Sequence, residues 1–117
     1  MIEKLFVYGT LHPGQAPWHL NDVVSLFVSL GPGSVRGHRY ELPEFPAVIL
    51  DPDGPEVEGE IFALPDESAL LERLDSYEGY DPESPDGSLF LRVLTVATLP
   101  DFTELDCWIY TYNRPLP

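Results

Sequence analysis

A carboxylate on the apolar side of a helix is the first residue of this chain placed to do chemistry. On a wheel of about 100° per residue with Leu70 at zero, Leu74 falls at about 40°, Leu71 at about 100° and Tyr77 at about −20°, which together define an apolar arc. Glu78, at about 80°, lies between Leu74 and Leu71. Glu72 and Ser76 point the other way, and Asp75, at about 140°, sits at the border and reads as an ordinary solvated position. Glu78 is also in the last turn, where unpaired carbonyls carry partial negative charge, and Gly79 follows it as a left-handed stop. Burial and a like-signed helix end both disfavour the ionised carboxyl, the direction required of a group that accepts and returns a proton near neutral pH. If the helix frays at Tyr77 instead, Glu78 simply reaches water; the wheel leaves both outcomes open.

The second candidate is Phe6-Val7-Tyr8-Gly9-Thr10-Leu11, where an apolar run meets Gly and then a hydroxyl residue. Successive backbone N–H groups at such a strand end can form a concave nest for a carboxylate or a developing oxyanion, with no cationic side chain. The same residues also serve as a plain turn. Other chemistries lack their motifs. There is no Gly-x-Gly-x-x-Gly, no Gly-Lys-Ser/Thr phosphate loop and no Gly-x-Ser-x-Gly elbow. His12, His19 and His38 form no His-x-x-x-His pair and accompany no Cys pair, so no metal site is expected.

Twenty acidic and six basic side chains among 117 residues leave a formal charge of −14. That balance disfavours nucleic acid and anionic membrane surfaces, which require clustered Lys and Arg. Cys107 is the sole cysteine, so no disulfide closes within the chain, and one thiol suits a reducing compartment. Met1 to Tyr8 lacks the apolar region of a signal peptide, and no run reaches the roughly 18 apolar residues of a membrane span. A cytoplasmic protein is expected, with one core and one domain over residues 1–117.

Thirteen Pro and nine Gly cut the chain into short pieces, most of which read as strands. The expected strands are 5–8, 25–30, 35–42, 47–50, 57–64, 89–99 and 105–112. A short helix over 17–24 and a principal helix over 66–78, capped by Asp66 with Glu67 in its first turn, complete the elements. Residues 80–88, with two Pro and three acids, read as an exposed loop. The fold class is α+β, mainly β: a small mixed or curled sheet with one principal helix.

Several motifs stand in order: Phe6 to Leu11, Gly14-Gln15, Phe45-Pro46-Ala47, Val57-Glu58-Gly59-Glu60-Ile61-Phe62, Leu74-Asp75-Ser76-Tyr77-Glu78-Gly79-Tyr80, Phe90-Leu91-Arg92 and Trp108-Ile109-Tyr110. This set resembles the γ-glutamylcyclotransferase family, including its γ-glutamylamine cyclotransferase and AIG2-like branches. The resemblance implies a small mixed β-barrel flanked by one principal helix and short helices, with the Tyr8 to Leu11 loop facing Glu78 across one cavity. It also implies conversion of a γ-glutamyl amide to 5-oxoproline with release of an amine or amino acid, without a cofactor. Glu78 is then the acid/base residue, and Tyr8, Gly9, Thr10 and Leu11 contact the substrate. Phe45, Arg92 and Tyr110 are candidate pocket residues, equally readable as packing or a surface ion pair. The partner expected is a small γ-glutamyl molecule, and the chain a monomer or weak homodimer. Phe90 replaces the Tyr of the family's Tyr-x-Arg, His12 replaces a frequent Lys or Arg, and the loop from Asp81 to Ser88 is unusually acidic. The alternatives are a non-catalytic binding protein of the same fold and an enzyme acting on another acyl group.

Overall fold

The short apolar runs become strands because each buries one face against the next. The computed structural model describes residues 3–9, 25–65 and 68–115. Its strands are β1 (Lys4–Val7), β2 (Val28–Glu41), β3 (Pro46–Leu50), β4 (Glu56–Ala63), β5 (Phe90–Thr98) and β6 (Glu104–Tyr112). One helix, α1 (Ser68–Glu78), and a 3-10 turn at Pro85–Gly87 lie between β4 and β5.

The sheet order is β3-β2-β4-β1-β6-β5, and β2 also meets β5 at Ser34 and Thr98. Five strands therefore close into a barrel, and β3 extends it along β2. β1 runs parallel to β6, with Leu5 opposite Trp108, and every other pairing is antiparallel, so the barrel is mixed as expected.

The strands expected at 25–30 and 35–42 are one strand of 14 residues. The Gly-Pro-Gly at 31–33 reads as a break, but the structure absorbs it as a bulge, with the register to β4 shifting between Ser29 and Gly31. The other strand boundaries shift by a residue or so. The loop at 80–88 is exposed through residue 87 but carries the 3-10 turn, and it ends on buried Ser88, whose hydroxyl accepts the Asp81 N–H at 2.8 Å. The expected helix at 17–24 and the cap formed by Asp66 and Glu67 lie outside the described residues.

The core has two parts. Phe6, Val35, Val48, Val57, Ile61, Ala97, Cys107 and Ile109 pack together as one cluster. Leu5, Val7, Phe62, Phe90 and Tyr110 pack with Leu70 and Leu74 of α1 in the other, so the helix is clamped to the barrel by its apolar arc. No described helix is long and apolar enough to cross a membrane.

The C-terminus of α1 sets the position of Glu78. Gly79 adopts φ +75°, the Gly79 N–H donates to the Ser76 carbonyl at 3.3 Å, and the Tyr80 N–H donates to the Asp75 carbonyl at 2.9 Å. These two bonds form a Schellman stop, in which a left-handed glycine reverses the chain and satisfies the last carbonyls. Glu78 is consequently the last helical residue, held by a defined turn.

Candidate active site

A cavity of about 250 Å³ lies where the end of β1, the Phe45-Pro46 segment, the end of α1 and the start of β5 converge. Glu78, Tyr8, Gly9, Phe45 and Tyr110 all line it, so the expected meeting of the helix end and the Tyr8-Gly9 turn is present. Thr10 and Leu11, the remainder of the proposed nest, lie outside the described residues.

Glu78 is half-buried, and among the described residues no hydrogen bond or ion pair engages its carboxylate. Loss of hydration without a compensating partner pushes its carboxyl up from 4.5 to about 7. Of the two outcomes open at the sequence level, the structure takes the buried one.

The Tyr8 hydroxyl donates to the Tyr110 carbonyl. Burial, reinforced by the Glu78 charge, raises its pKa well above the ordinary phenol value, which keeps it protonated. The Tyr8 carbonyl in turn accepts Arg39 Nη1 at 2.9 Å, which fixes the turn from outside the cavity. At Gly9 a Cβ would come within 3.0 Å of Pro46 Cγ, so the main chain runs tightly against the Pro46 ring.

The opposite wall is aromatic. Phe45 and Phe90 meet edge to face with centroids 5.4 Å apart, and Tyr112 contacts both at 6.1 and 5.7 Å. Phe90 lines the cavity directly and contributes apolar wall. Beyond Phe6 and Val7 of β1, the lining is completed by Tyr77, Pro46 and Leu89. The sequence singled out none of these three as cavity residues, although Tyr77 lies on the apolar arc of the wheel.

Two expectations require correction. Arg92 is not among the lining residues, and its ion pair is not a surface one. Its Nε and Nη2 donate to Asp75 Oδ1 and Oδ2 at 2.7 and 3.2 Å, and its guanidinium lies 4.4 Å from the Trp108 ring centroid. Asp75, expected in solvent, is 4% exposed and also accepts the Tyr110 hydroxyl at 2.7 Å. The wheel placed Asp75 at the edge of the apolar arc, and β5 and β6 cover that edge with a cation and a hydroxyl. The signal in the sequence was an acid one turn before Glu78 together with an Arg in a late strand.

His38 pairs with Asp51 at 2.9 Å and does not line the cavity. Among the described residues, no group of three His, Cys, Asp or Glu side chains could hold a metal ion.

The small closed mixed barrel thus holds, at the end of its helix, one carboxyl raised by burial and facing a compact cavity. The family model "Gamma-glutamyl cyclotransferase, AIG2-like" matches residues 5–117, and the chain belongs to that family. An AIG2-like protein from Mus musculus superposes with a TM-score of 0.75 at 23% identity, covering 99% of this chain and 80% of the other. A γ-glutamyl cyclotransferase gives a TM-score of 0.67 at 14% identity, over 96% and 67% of the two chains. A protein from Pyrococcus horikoshii gives 0.60 at 14% identity, over 97% and 80%. At these identities the likeness is one of fold. Comparison with curated proteins gave no match.

Proposed function

We propose that the protein cyclises a γ-glutamyl amide to 5-oxoproline and releases the amine or amino acid, with Glu78 as the acid/base residue. One observation carries this reading: the Glu78 carboxyl, raised to about 7, faces a cavity that also contains Tyr8 and Gly9. At about 250 Å³ the cavity is smaller than the roughly 300–1,000 Å³ of sites for drug-sized ligands, a size suited to a glutamyl head group.

The carboxylate form of Glu78 takes a proton from the substrate α-ammonium. The freed amine attacks the γ-carbonyl, forming a C–N bond and placing negative charge on the carbonyl oxygen. As that oxyanion collapses, the bond to the leaving nitrogen breaks, Glu78 returns the proton to it, and the ring nitrogen sheds its second proton, which the released amine takes up to leave as an ammonium ion. Nucleophile and electrophile belong to one molecule, so much of the barrier is met by holding it in a ring-like pose. The Gly9 main chain and the Tyr8 to Leu11 segment that follows β1 are assigned to the substrate carboxylate or the oxyanion. The aromatic wall of Phe45 and Phe90 excludes water from the reacting atoms.

The test is incubation with a panel of γ-glutamyl amides differing in the leaving amine, scored by mass spectrometry for 5-oxoproline. Turnover by the wild type, lost at least about 100-fold in Glu78→Gln, is the expected result. Absence of turnover across the panel combined with thermal stabilisation by 5-oxoproline would instead identify a binding protein.

A further inference from the structure

We propose that Asp75 is a positioning residue for Glu78: neutralised by Arg92, it ties the last turn of α1 to β5 and β6, so Glu78 reaches the cavity from a fixed place and beside no uncompensated ion. The proposal rests on Glu78 being the proton carrier.

The connections converge on one side chain. Asp75 lies one turn before Glu78, and its main-chain carbonyl accepts the Tyr80 N–H that closes the helix. Its carboxylate takes two bonds from Arg92 of β5 and one from Tyr110 of β6. Tyr110 is itself a cavity wall, and its carbonyl holds the Tyr8 hydroxyl. The helix that carries Glu78 and the wall opposite it are therefore joined through Asp75.

The charge balance has a separate consequence. A lone carboxylate one turn away would oppose ionisation of Glu78, and a lone guanidinium there would favour it. Paired in a bidentate fork, the two largely cancel. Burial alone then sets Glu78. Among the described residues, the other groups facing it do not add net charge. Tyr8 from β1 and Tyr110 from β6 are held protonated by burial, and Tyr77 stands beside it on the helix. Phe45, Pro46 and Phe90 are apolar, and Arg39, beyond Tyr8, is engaged by Glu41 at 2.6 Å and by the Tyr8 carbonyl.

The experiment follows the Glu78 carboxyl by carbon NMR of labelled glutamate side chains during a pH titration, with no substrate present. Asp75→Asn keeps one oxygen to accept from the Tyr110 hydroxyl and Arg92 Nε, loses the acceptor for Nη2 and leaves the guanidinium uncompensated, so the Glu78 midpoint falls by about one pH unit. Arg92→Met leaves Asp75 uncompensated and moves the midpoint upward. The double variant returns it towards the wild-type value. In turnover assays Asp75→Asn moves the acid limb of kcat/KM by the same amount as the NMR midpoint. A purely structural role would lower the melting temperature and leave the midpoint unmoved, and that result overturns the proposal. If one single variant fails to fold, the direction of shift in the other decides. If the wild type turns over no γ-glutamyl amide, the functional reading falls while the NMR midpoints still decide the role of Asp75.

Discussion

Replacing Glu78 with Gln should stabilise the protein at neutral and alkaline pH. In the folded state the carboxyl is raised to about 7, against 4.5 for the unhindered group. A raised carboxyl binds its proton more tightly folded than unfolded. The stability it contributes is therefore complete below about pH 4.5 and is lost as pH rises through about 7. That difference corresponds to roughly 3 kcal/mol, withdrawn from the wild type once Glu78 ionises. Gln keeps the shape and never ionises. Urea denaturation of both proteins at a series of pH values isolates the effect, because the other titrating groups cancel in the difference. Between about pH 5.5, safely above the isoelectric point, and about pH 8.5, the advantage of Glu78→Gln should widen by about 2 kcal/mol at constant m-value. A gap that stays constant with pH would show that Glu78 is not desolvated, and with it would fall the physical basis for its role in proton transfer.

Four further outcomes are expected. With a substrate in hand, kcat/KM should rise with pH through an acid limb near the Glu78 value of about 7, and a limb at the ordinary carboxylate range would refute it. Gly9→Val places its side chain against Pro46, where even a Cβ would sit 3.0 Å from Cγ, and should abolish ligand binding by calorimetry; unchanged affinity would remove the turn from the site. Tyr110→Phe removes one hydrogen bond to buried Asp75 and should cost about 1.5–3 kcal/mol in urea unfolding, whereas an unchanged midpoint would show that Arg92 alone satisfies the carboxylate. Burial raises the Cys107 thiol to about 11, so a thiol reagent at about pH 8 should react only after denaturation.

Strand and helix placement was legible because Gly and Pro punctuate the chain and because the apolar arc of α1 is clear in its spacing. The bulge in β2 was not, since Gly31-Pro32-Gly33 carries every local sign of a break and only pairing with β4 on one side and β5 on the other holds the strand continuous. Barrel closure is likewise a property of the whole sheet and leaves no mark in any one segment. Within the site, the direction of the Glu78 shift followed from its place on the helix. Asp75 was misplaced because a wheel records polarity but not what covers the polar edge. Arg92 and Tyr110 supply a cation and a hydroxyl from 17 and 35 residues away. Phe45 and Tyr110 are cavity residues as expected, and Arg92, behind the wall, pairs with Asp75, which in turn holds the hydroxyl of Tyr110.

The position of β1 in the sheet has a consequence for biogenesis. Of the described strands β1 is made before the others, yet it lies between β4 and β6, and β6 is the last of them to be made. Leu5 cannot meet Trp108 until the chain through β6 has left the ribosome, so β1 waits with one edge unpaired. Tyr8 and Gly9 follow directly on that strand. Chains stalled or truncated before β6 would carry Glu78 but not Tyr110, so the wall that completes the cavity is among the last pieces a nascent molecule acquires.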